Sequence, residues 1–241
     1  MNKSIRLLLL SVGMIILGAC GGGGGGGGSA ASVPVKSTTS FPVAQAMANF
    51  VSTSHNINYA MTGKENGIAV TGSGTISFSA AVSTTFEGQT ALSQTGTISG
   101  TISGNGNTVP YAFTGQDIYT TNYDYLGVID SGSYCVGQGS QPFPSSAKVG
   151  DTAFLGTSDC YQDSSKNVKT ETDKDSYVIE ADTSTTAIFN QITSTYDLSN
   201  QLTSTTQVRW RIDQVGNITF VSLTGTDYTT SPAGVLTFTA H

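Results

Sequence analysis

From about residue 56 onward, hydrophobic and polar residues alternate along most of the chain. Ile68, Val70, Gly72, Gly74, Ile76, Phe78 and Ala80 share one parity, with polar or small residues mostly between them. Neighbouring side chains on a strand point to opposite faces, so this pattern predicts a half-buried β-strand. Ile98, Gly100 and Ile102 lead into Gly104-Asn105-Gly106-Asn107, after which Val109, Tyr111 and Phe113 resume the alternation. A Gly/Asn turn between two alternating runs predicts a hairpin. Val208, Trp210 and Ile212 alternate with Arg209, Arg211 and Asp213, and Val215-Gly216-Asn217 then turns the chain into a second apolar run. Segments 177–181, 187–198 and 235–240 read as further strands.

One stretch has a different period. Val43, Ala46, Met47, Phe50 and Val51 recur at helical spacing after Ser40-Phe41-Pro42. This predicts a short helix to about Ser52, with Ser40 as its N-cap, Pro42 in its first turn and its apolar stripe on the core. Hairpins joined by short links favour an antiparallel meander. The expected fold is therefore mainly β: a meander forming a barrel or a curved half-barrel, with one short N-terminal helix. A β-sandwich is the alternative. The repetition in 97–104 is local, and no period of solenoid length recurs.

Composition supports an ordered β domain. Only 11% of the 241 residues are charged, while 37% are hydrophobic and 9% aromatic. Gly, Ser and Thr supply the polarity, which suits strands with hydroxyl-bearing faces rather than disorder. The net charge is −6. Setting aside Lys3 and Arg6 leaves eight basic against 16 acidic side chains, about −8. With no basic cluster, nucleic acid and anionic lipid headgroups are excluded as expected partners.

Lys3 and Arg6 precede an apolar run from Leu7 to Leu17. Eleven helical residues span about 16 Å, too short for a hydrocarbon core of about 30 Å but suited to a signal peptide. Leu17-Gly18-Ala19-Cys20 resembles the lipobox of bacterial lipoproteins. The resemblance implies cleavage before Cys20, a diacylglycerol on its sulfur and an acyl chain such as palmitate on its amine. Two or more chains hold a protein stably on a membrane. Gly21 is not the Asp that retains enteric lipoproteins in the inner membrane, so the resemblance also implies the outer membrane, on its periplasmic or surface face. Gly21 to Gly28 have no side chains to bury. The expected organisation is a signal peptide over 1–19, lipidated Cys20 with a flexible Gly-rich tether over 20–40, and a single β-rich domain over 41–241.

Candidate chemistry within the domain is sparse. Cys135 and Cys160 are the remaining cysteines, and outside the cytoplasm they are expected to pair as a disulfide. Tyr119, Tyr123 and Tyr125 share one parity; on a strand their rings would line one face, as a ligand-stacking surface or as packing. His55 and His241 are the only histidines, and no Gly-x-Ser-x-Gly elbow is present, which disfavours a catalytic triad. Glu180, between apolar neighbours, is the glutamate expected in the most unusual setting. The run 171–175, with Asp159 and Asp163 nearby, hints at calcium. An EF-hand loop fails at Tyr177 and Val178, where a ligand and a glycine are required. No cofactor and no metal are expected. The functional expectation is a non-enzymatic cell-envelope lipoprotein whose β domain binds a hydrophobic ligand or an envelope or surface partner, protein or glycan. An adhesin-like or structural surface lipoprotein and a carboxylate-dependent glycan hydrolase are the alternatives.

Overall fold

A computed structural model describes residues 34–241. In chain order the first elements are β1 (Ser40–Phe41), α1 (Val43–Val51), β2 (His55–Glu65), β3 (Ile68–Phe78), β4 (Val82–Phe86), β5 (Gln89–Gly104), β6 (Asn107–Tyr119) and β7 (Tyr125–Asp130). They are followed by β8 (Tyr134–Gln138), β9 (Ala147–Lys148), β10 (Thr152–Tyr161), β11 (Lys169–Ala181), β12 (Thr186–Tyr196), β13 (Leu202–Asp213), β14 (Ile218–Asp227) and β15 (Gly234–Ala240). The leader, Cys20 and the glycine tract lie outside the described residues. Among the described residues, no helix is long and apolar enough to cross a membrane.

The chain joins the fold earlier than its composition suggests. Val35 bridges Asp182, and Ser37 is buried with its hydroxyl donating to the Ser184 carbonyl at 3.0 Å. The stretch expected to be tether up to residue 40 is thus hydrogen-bonded to the fold from Val35, with Ser37 buried. Ser40 and Phe41 form β1, paired with β9, so Ser40 does not cap the helix. Pro42 holds the N-cap position without a side-chain bond. The first turn is served instead by Pro144, whose carbonyl accepts from the Ala44 N–H at 3.0 Å. Val43, Ala46, Met47, Phe50 and Val51 are all buried, as the helical spacing predicts.

Twelve strands close into an antiparallel barrel. The order β2-β3-β5-β6-β7-β8-β10-β11-β12-β13-β14-β15 follows the chain, and β15 returns to pair with β2 from Val235↔Lys64 to Ala240↔Tyr59. Closure by first and last strands excludes both the half-barrel and the sandwich. β5 is long enough to pair with β3 along its second half and with β4 at its start. β4 therefore lies outside the ring, where Phe86 covers Gly127 and packs near Tyr134. The Gly- and Ser-rich segment around Cys135 and Cys160 contributes β8, β9 and β10.

Alternation sorts the strands into an inner and an outer face. At one end α1 plugs the barrel: the Phe50 ring sits 5.0 Å from Phe78 of β3 and 4.6 Å from Trp210 of β13, two strands that are not neighbours in the ring. Burying aromatic rings of this size contributes roughly 2–3 kcal/mol each. Gly74 and Gly100 are paired across β3 and β5, with the Tyr59 hydroxyl above both; a Cβ on either would come 2.6 Å from that oxygen. The same Cβ atoms would come 2.0 Å and 2.2 Å from the carbonyl oxygens of Ser99 and Ser73. Only glycine fits there. The Tyr59 hydroxyl hydrogen-bonds Tyr111 across the space the glycines leave. At the opposite end the described residues provide no plug.

Candidate functional site

The expected disulfide is present: Cys135 of β8 and Cys160 of β10 are register partners joined sulfur to sulfur. Their side chains take inward positions, level with Glu171 of β11. The tyrosine stretch is a β6–β7 hairpin rather than one strand. Tyr119 and Tyr125 are register partners with ring centroids 6.3 Å apart, whereas Tyr123 stands in the turn at φ +68°. The structure thus brings two of the three tyrosines together. Both line a central cavity of about 30 Å³ with Gln94, Asp117, Gln191, Phe50 and Trp210. That space holds about one or two waters. It is too small for a lipid chain.

Other candidates take structural roles. His55 stacks on Phe50 at 4.2 Å, and its Nε2 lies 2.9 Å from the Phe50 carbonyl, at the end of α1. Glu180 faces outward and pairs with Arg209 at 3.1 Å. Among the described residues, one group of potential ligand atoms lies within 4.8 Å of one another: the two disulfide sulfurs and Asp173. Sulfurs bonded to each other offer no thiolate to a metal.

The acidic run of 171–175 is not a solvated loop. Glu171, Asp173 and Asp175 precede Tyr177 and Ile179 on the inward face of β11, while Thr172, Lys174 and Ser176 face out. Asp117 of β6 and Asp130 of β7 also face inward. None of the eight lysines and arginines among the described residues takes an inward position on the barrel strands. Burial pushes Asp117 up to about 7. Burial and then the Glu171 charge push Asp173 up to about 7, and burial and then the Asp173 charge raise Asp175 well above the usual carboxylate range. Hydrogen bonds from Thr195 and Thr193 hold these last two carboxyls in place at 2.7 Å and 2.8 Å.

The unplugged end has a mouth. The β2–β3 and β5–β6 hairpins enclose an open pocket of about 320 Å³, walled by Ile68, Val70, Ile102 and Val109 and edged by Asn66, Asn105 and Asn107. Glu65 also lines it, and its Oε1 is buried with no hydrogen-bond partner. Burial and the nearby Asp227 charge raise the Glu65 carboxyl above the usual range. Asp227 is fully buried; its Oδ1 accepts from Thr229, while its Oδ2 has no partner. Ile68 and Val109 remain about half exposed at the rim, and Val168, Leu198, Leu202 and Tyr228 are exposed in or beside the turns of the same end. The alternation along the sequence does not reveal this pocket: Asn105 reads only as a turn residue, and nothing local singles out Glu65. The signal available was the apolar residues placed so close to both turns.

Comparison with protein-family models, with curated proteins and with solved structures finds no match to this chain.

Proposed function

We propose that this chain is a non-enzymatic, lipid-anchored binding protein of the bacterial cell envelope, held to the outer membrane through acyl chains on Cys20. Its barrel binds at the open mouth rather than in the interior. The observation that carries this reading is the pocket of about 320 Å³ with apolar walls and a half-exposed apolar rim. Its volume falls at the lower end of the range of small-molecule sites, and its lining has their character, mainly apolar with few polar groups. Exposed apolar patches of this kind mark interaction surfaces. The interior offers no comparable space beneath α1, where the cavity is about 30 Å³.

The geometry suits a tethered binder. Val35 joins the barrel at Asp182, beside the plugged end, so a tether running back to Cys20 holds the domain by the end opposite the mouth. Two measurements test the reading. Labelled palmitate is expected to enter the parent chain and not Cys20→Ala. The mature chain with Cys20→Ser, which needs no detergent, is expected to bind Nile red with a blue-shifted emission that Val109→Asp removes. Absence of palmitate incorporation overturns the anchor, and Nile red emission insensitive to Val109→Asp overturns the mouth.

A further inference from the structure

The mouth pocket combines an apolar wall with a carboxylate that lacks a partner. Glu65 Oε1 is buried in the pocket lining and accepts no hydrogen bond. Asp227, on the inward face of β14, stands close enough for its charge to act on Glu65 and keeps its own Oδ2 buried and unpartnered. A buried acceptor without a donor costs about 1–3 kcal/mol, more when charged. Two such acceptors side by side repel each other as well. Lys64, the nearest cation in sequence, belongs to the alternate, outward face of β2. The walls that meet this carboxylate are aliphatic: Ile68, Val70, Ile102 and Val109.

We infer that the mouth is a binding site for a small ligand carrying a protonated amine on an apolar body, an alkyl- or aralkylammonium, with the ammonium donating to Glu65 and the body lying against Ile68, Ile102 and Val109. This rests on the reading of the mouth as the binding site and adds the class of ligand. An ammonium supplies three donors and a positive charge beside Glu65 and Asp227, each of which keeps a buried oxygen without a donor. Hydrogen bonds to a charged partner in a partly buried site are stronger than neutral ones. A volume of about 320 Å³ accommodates about ten non-hydrogen atoms, taking roughly 30 Å³ for each as for a water. Asn105 and Asn107 at the edge offer further polar contacts to a ligand head that extends outward.

The test titrates octylammonium chloride, 1-octanol and sodium octanoate separately into the mature full chain carrying Cys20→Ser, by isothermal calorimetry. Octylammonium is expected to bind at least tenfold tighter than octanol, and octanoate more weakly than either. Glu65→Gln is expected to bring octylammonium to the level of octanol, the loss for octylammonium exceeding any change for octanol at least tenfold. Val109→Lys, at a half-exposed rim position, is expected to remove the preference by placing an ammonium of the chain's own at the mouth. Its unfolding curve checks that the fold survives. Equal binding of octylammonium and octanol, or a preference that survives both variants, overturns the ammonium inference and leaves the apolar mouth standing. Failure of all three compounds to bind overturns the mouth as a ligand site, and the inference with it.

Discussion

Gln94 of β5 and Asp117 of β6 are register partners facing the same buried cavity, and each presents an oxygen acceptor to it. The Gln94 amide nitrogen is engaged with the carbonyl of Ser79 at 3.0 Å, but its Oε1 is buried without a donor. A proton on Asp117 provides a donor in this space. That proton is retained up to about pH 7 because burial penalises the charged form.

Stability is therefore expected to fall as pH rises. Between about pH 4 and pH 7 the folded chain keeps the Asp117 proton while the unfolded chain has lost it. The unfolded state binds fewer protons throughout this window, so the free energy of unfolding decreases with pH. A shift of about three pH units corresponds to roughly 4 kcal/mol. Asp173, also pushed up to about 7, acts in the same direction. Urea midpoints measured from pH 4 to pH 8 are expected to decline, and Asp117→Asn to flatten the slope and raise the midpoint at pH 8. A midpoint that rises with pH contradicts the argument.

Reduction of Cys135–Cys160 is expected to destabilise the barrel by about 3–4 kcal/mol, from closure of a loop with a sequence separation of 25. The β8–β10 ladder supplies four register pairs besides Cys135↔Cys160, so the fold is expected to persist. Unfolding curves with and without dithiothreitol measure the shift, and far-ultraviolet circular dichroism is expected to keep its β signature.

Gly74→Ala and Gly100→Ala are expected to cost about 3 kcal/mol or more each, since the new methyl meets backbone oxygen that cannot rotate away. Tyr59→Phe is the control that removes the hydroxyl and its bonds to Tyr111 and the Ser99 carbonyl without adding bulk, with an expected loss of about 1 kcal/mol. Thermal midpoints rank the three; an alanine variant as stable as the parent would show that the seam can part freely.

Phe50→Ala is expected to lower stability by about 3–5 kcal/mol, because the ring contacts Phe78, His55 and Trp210 together. Trp210 is the chain's single tryptophan, so its emission reports directly on the plug. A red shift in Phe50→Ala under native conditions is the expected result.

The parts legible in the sequence are those set by local chemistry. Asn105-Gly106 and Gly216-Asn217 mark hairpins because left-handed turns demand those residues; Asn105, Gly106 and Gly216 indeed have positive φ. The helix was legible from its stripe, but its cap was not. Ser40 resembles an N-cap until β9 arrives from a hundred residues away to pair with it. Tyr123 looked like a member of a tyrosine face because polar neighbours in a turn mimic the outer residues of a strand. The acids of β11 did alternate, Glu171 to Ile179, yet charge alone reads as solvent exposure. Their inward placement depends on the open, hydroxyl-lined end of a barrel, which no local pattern reveals. The mouth pocket is hidden for the same reason, since its two hairpins become neighbours only through the β3–β5 pairing.

The seam between β2 and β15 sets an order of events. A chain that emerges N-terminus first presents β2 early, and the partner for its free edge, β15, follows every other strand of the ring. Until then β2 and β14 both expose unpaired backbone, the condition under which strands recruit foreign chains. Closing the ring therefore protects two edges in one step, because the pairing of β15 with both β14 and β2 covers them together.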